Sequence, residues 1–64
     1  MFKVGDLARV KKQEGLARRW EGAVVKIIST TAPAWPIKGV VVVGNEKLIE
    51  GTEGVFYERE LELL

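Results

Sequence analysis

Three stretches of this 64-residue chain carry side chains suited to recognition chemistry. Lys11 and Lys12 precede Gly15, and Arg18, Arg19 and Trp20 follow it. Cations beside an indole can hold phosphate oxygens while the ring stacks on a base or a side chain. The same spacing also suits a solvated basic loop with Trp20 folded back onto the domain. Trp35 stands between Ala34 and Pro36, in a segment that Pro33 and Pro36 keep out of any regular ladder. Trp is enriched among interface hot spots, so Trp35 and Pro36 read either as a docking element or as a lid over one end of the fold. Tyr57, between Phe56 and Glu58, adds a third ring with a polar tip. Glu46, Glu50, Glu53, Glu58, Glu60 and Glu62 form an acidic set, either a landing place for a basic partner or ordinary solubility charge.

The residue types needed for catalysis are sparse. The chain has no Cys and no His, so a thiolate or imidazole nucleophile–base pair cannot be built, and the commonest zinc ligands are missing. The hydroxyls of Ser29, Thr30, Thr31 and Thr52 lie in no nucleophile motif, and no Gly-rich phosphate loop is present. A pair of carboxylates could in principle exchange a proton, but so small a domain has little room for a water-excluding cleft. The expectation is a non-enzymatic protein that needs no cofactor and no metal.

Length allows one domain, residues 1–64. A chain of this size buries only about 60% of the surface it exposes when unfolded. Without disulfides its stability must come from packing, and an apolar content of 47% supports that. Self-association would be a second way to cover apolar surplus. Absence of Cys fits a reducing compartment. The first residues lack the apolar core of a signal peptide, and the longest apolar run, residues 40–43, is far short of the roughly 20 residues of a membrane helix. These features predict a cytoplasmic protein. The net charge of +1 hides an asymmetry: residues 1–38 carry eight Lys/Arg against three Asp/Glu, and residues 39–64 carry two against six. The halves either neutralise one another across strands or form a bipolar surface.

The elements that must position these groups are β-strands. Nine Val and four Ile supply stiff, branched side chains that fit a pleated surface. Gly5-Asp6 is a turn signal. After it, residues 7–11 alternate, with Ala8 and Val10 on one face and Arg9 and Lys11 on the other. Residues 12–21 read as a loop, with room for one helical turn at 16–19. A second strand covers 22–29 and a third 37–44, with Val41 and Val43 facing one side and Val40 and Val42 the other. Gly44-Asn45 turns the chain, and residues 46–51 form a loop or contain a short strand. A fourth strand lies at 55–57, one 3₁₀ turn at 58–60, and a fifth strand at 61–63. Five short strands at this spacing predict an all-β barrel or sandwich, and closure into a barrel would remove exposed edges.

Three blocks in this order resemble the SH3-like barrels. Phe2-Lys3-Val4-Gly5-Asp6-Leu7-Ala8-Arg9-Val10 is similar to their opening Gly-Asp strand. Glu21-Gly22-Ala23-Val24-Val25-Lys26-Ile27 is similar to their second strand, and residues 56–63 to their closing segment. The blocks cover about half of the chain. Groups sharing the pattern include KOW domains, electron-transport accessory subunits, and small bacterial and phage barrels. The resemblance implies a five-stranded SH3-like barrel with a short 3₁₀ turn before the last strand. The Ala-Leu-Tyr-Asp-Tyr motif of Pro-rich-peptide binders is missing, and Arg19 and Trp20 stand where KOW domains carry a glycine. Ala8 replaces a larger aliphatic. The leading functional expectation is a small accessory subunit that docks on a larger protein and modulates it. Its alternatives are a KOW-like module for RNA or DNA, and a structural subunit of a larger assembly, with homodimerisation open in each case. The residues assigned to partner binding are Trp35, Trp20, Arg18, Arg19, Lys11, Lys12, Pro36 and Tyr57.

Overall fold

The computed structural model describes residues 2–11, 20–30 and 36–64. They form one antiparallel sheet of five strands: β1 (Leu7–Val10), β2 (Val24–Thr30), β3 (Ile37–Val43), β4 (Glu53–Phe56) and β5 (Leu61–Leu63). The spatial order is β4-β3-β2-β1-β5, so the first four strands meander and the last returns beside the first. A 3₁₀ turn, Glu58–Glu60, separates β4 from β5. No pairing joins β4 to β5 among the described residues, and the sheet is open along that line. No helix of the described residues is long and apolar enough to cross a membrane.

The alternation expected from the sequence sets the core face. Ala8 and Val10 of β1, Val25 and Ile27 of β2, Ile37 and Val41 of β3, Phe56 of β4 and Leu61 of β5 are all buried. Fully burying a side chain of the Val, Leu, Ile or Phe class contributes about 1.5–3 kcal/mol. Ala23 and Leu48 complete the cluster, while Phe2 and Trp20 pack against its margin. Leu48 is carried by the Asn45–Leu48 bridge. There the Asn45 side-chain oxygen accepts from the Lys47 N–H at 2.8 Å and fixes the turn.

Three of the strands are entered through the same device. Gly5, Gly22 and Gly51 are the residues with positive φ. Each donates its N–H to a core residue on the neighbouring strand, which donates back to the residue after the glycine. Gly22 bonds the Val10 carbonyl and Val10 bonds that of Ala23; Gly51 bonds Val41 and Val41 bonds Thr52; Gly5 bonds Ile27 and Ile27 bonds Asp6. This is the glycine-led β-bulge, in which two residues oppose one. It sharpens the local twist and curls a small sheet around its core.

Two further irregularities change the expected facing of β2 and β3. Val24 pairs with Val43 and Val25 with Val41, leaving Val42 as an extra residue. Val43 therefore falls out of phase with Val41: it is 58% exposed, whereas Val41 is buried. The strict alternation expected over residues 40–43 fails for that reason. On β2, Ile27 pairs with Gly39 and Ser29 with Lys38. Ile28 is the extra residue and is exposed, an arrangement that keeps Ser29 off the core row.

The charge asymmetry of the sequence meets itself across strands. Arg9 on β1 lies 3.9 Å from Glu62 on β5, and Lys38 on β3 lies 3.8 Å from Glu53 on β4. Each pair joins a cation of the basic half to a carboxylate of the acidic half. Both are solvated, so each contributes at most about 1 kcal/mol.

Candidate functional site

One end of the sheet gathers three of the four described members of the set assigned to partner binding, Lys11, Pro36 and Tyr57. β3 begins at Ile37, which pairs with Phe56 at the end of β4. Pro36 precedes β3 and Tyr57 follows β4, so both stand at that end of the ladder. The 3₁₀ turn then carries the chain across, and its last residue accepts from the end of β1: the Lys11 N–H donates to the Glu60 carbonyl at 2.8 Å. The strand ends that lead into residues 12–19 and 31–35 therefore flank one short turn. Lys12, Arg18, Arg19 and Trp35 lie outside the described residues.

The turn is internally braced. The Glu60 carboxylate reaches back to accept from the Tyr57 N–H at 2.7 Å, and the Glu60 N–H donates to the Tyr57 carbonyl at 2.9 Å. This reciprocal arrangement satisfies donors that a short helical turn leaves open. The Arg59 guanidinium carbon sits 4.4 Å from the centre of the Tyr57 ring, within cation–π range. Tyr57 and Arg59 are both exposed. They form a braced aromatic–cation platform on the outside of the turn, with Lys11 exposed at its β1 side and Pro36 half-buried at its β3 side.

Trp20 has a different setting. Its ring meets Phe56 edge-on, with centroids 5.2 Å apart and planes at 83°, a geometry worth about 0.5–1.5 kcal/mol beyond its burial. The ring lies over Gly54. A Cβ built there would come within 2.7 Å of Trp20 Cη2. Gly54 pairs with Gly39 on β3, and a Cβ at Gly39 would stand 3.1 Å from Val25. Gly54 thus leaves a flat seat on the core side of β4 that Trp20 occupies, while the space at Gly39 is taken by Val25. The indole is folded onto the sheet and is mostly buried there.

The sequence reading missed the Gly54 seat for Trp20, the Glu60 brace and the burial of Leu48. The brace had a legible signal, since Tyr57-Glu58-Arg59-Glu60 places a carboxylate three residues after Tyr57, the residue that caps the turn. The glycine seat had none, because Gly54 and Trp20 are far apart in the chain. Among the described residues no polar or charged side chain is buried, and no group of three or more Asp or Glu side chains is arranged to hold a metal ion. No family model, curated protein or solved structure matches the chain.

Proposed function

We propose that this chain is a small non-enzymatic binding module of the SH3-like barrel type, which docks on a larger protein through the Tyr57 end of its sheet. The barrel reading is supported by the strand order, with β5 returning beside β1, and by the 3₁₀ turn before β5. The binding reading is carried by one observation: Tyr57 and Arg59 stand exposed and stacked at the turn between β4 and β5. An aromatic ring held rigid by its own turn loses little side-chain freedom on binding, and Tyr and Arg are enriched at interface hot spots. Lys11 and Pro36 flank the platform.

The test is affinity capture with the immobilised chain, comparing wild type with Tyr57→Ala and Arg59→Ala. The expected result is that one partner is retained by wild type and lost from both variants, while their thermal midpoints stay close to that of wild type. An unchanged set of captured proteins with Tyr57→Ala overturns the assignment. Anisotropy titrations with single- and double-stranded oligonucleotides across a salt series test the nucleic-acid alternative. Binding that weakens log-linearly with salt and is lost with the loop cations replaces the protein-docking reading.

A further inference from the structure

We propose that the outer edge of β4 is a self-pairing seam through which two copies of the chain join their sheets about a two-fold axis at Gly54. The alternation of the β3–β4 ladder fixes which groups face outward. Val41 is hydrogen-bonded to the Gly51–Thr52 bulge. Counting on from there, the pairs Gly39–Gly54 and Ile37–Phe56 exchange hydrogen bonds, and the intervening pairs Val40–Glu53 and Lys38–Val55 do not. The N–H and C=O groups of Glu53 and Val55 therefore point away from β3, toward the edge where no strand pairs among the described residues. An exposed row of this kind is a template for another strand.

A second copy of β4 fits that row in antiparallel register. With Gly54 opposite Gly54, Glu53 of each copy faces Val55 of the other, and each such pair exchanges two hydrogen bonds. The pair on the axis is the non-hydrogen-bonded kind, where backbones approach most closely, about 4.5 Å between Cα atoms. Glycine is the residue that meets this approach without a side chain.

Charge favours the same occupant. Glu53 and Val55 lie on the outer face with Lys38, which pairs with Val55 and bridges to Glu53. In the joined sheet each row across the seam reads Lys38, Val55, then Glu53 and Val40 of the partner copy. Each Glu53 then stands between its own Lys38 and that of the other copy. The exposed Val55 side chains, 46% accessible in the single chain, become diagonal neighbours. The two Tyr57 platforms fall three residues either side of the axis, about 20 Å apart along the strands at 3.3 Å per residue, so the joined pair is bivalent.

Sedimentation velocity from about 10 µM to about 1 mM tests the seam, with Val55→Pro as the variant. Proline at Val55 removes an outward N–H and no bond of the β3–β4 ladder, and an edge strand tolerates it at such a position. Wild type is expected to shift from one to two chain masses with concentration, and Val55→Pro to stay at one with an unchanged circular-dichroism spectrum. Amide exchange on the wild type gives a second measurement that needs no variant. The Glu53 and Val55 amides are expected to slow as concentration rises, and amides in the β1–β2 ladder to stay unchanged. A wild type that remains at one chain mass, a Val55→Pro variant that still associates, or edge amides indifferent to concentration each overturns the proposal.

Discussion

Replacing Gly54 with alanine tests whether Trp20 is seated on the sheet. The added Cβ would lie 2.7 Å from Trp20 Cη2, 3.0 Å from Phe56 Cζ and 3.1 Å from Trp20 Cζ3. Ordinary carbon contacts begin near 3.5 Å, so both rings must give by several tenths of an ångström. Phe56 is buried and confined by the core, whereas Trp20 is half-buried and can tilt outward. Overpacking of this kind costs about 1–3 kcal/mol. The loss of glycine's freedom in the unfolded chain returns about 0.4–1 kcal/mol, because Gly54 is not among the positive-φ glycines. The net expectation is a destabilisation of about 1–2 kcal/mol, a large share of the roughly 3–10 kcal/mol available to a domain of this length. Urea denaturation measures it as a lower midpoint at unchanged slope. The decisive comparison is the same substitution in a Trp20→Leu background, where two of the three close contacts disappear. There the cost of Gly54→Ala should fall by at least about 0.5 kcal/mol, the signature of two residues in contact. Equal costs in the two backgrounds, or a Gly54→Ala protein as stable as wild type, would refute the seat.

Gly51→Ala should cost about 1–2 kcal/mol for a different reason, since φ is +94° and nothing lies within 4 Å of the new Cβ. Gly51→Asn should cost less than Gly51→Ala, because Asn tolerates positive φ, and equal losses in urea denaturation would contradict the backbone explanation. A double-mutant cycle on Arg9 and Glu62, 3.9 Å apart and well solvated, should give a coupling below about 1 kcal/mol that shrinks in high salt. A larger, salt-insensitive coupling would show that the pair is shielded from solvent.

Much of the fold was legible because it depends on near neighbours in the chain. Alternation of Ala8 and Val10 with Arg9 and Lys11 set the facing of β1. The Leu61-Glu62-Leu63 strand and the Glu58–Glu60 turn fell where the local pattern put them. The start of β4 did not, since Glu53 and Gly54 carry no strand signal and are held by pairing with Val40 and Gly39. Of the site, the residue types were legible. Their meeting was not, because the distance from Lys11 to Glu60 in sequence is closed only by the β1–β5 pairing.

By itself, then, the sequence determined the all-β class, the approximate strands and the chemistry of the recognition residues, since periodicity and turn chemistry act over a few residues. Only the tertiary structure decided that Val43 faces out while Val41 faces in, that Lys38 and Glu53 neutralise one another, and that Trp20 lies on Gly54 instead of standing free. Each of these depends on which backbone lies alongside. A single extra residue in one strand reverses the facing of those beyond it, and nothing in the local pattern of four consecutive valines records where that residue falls.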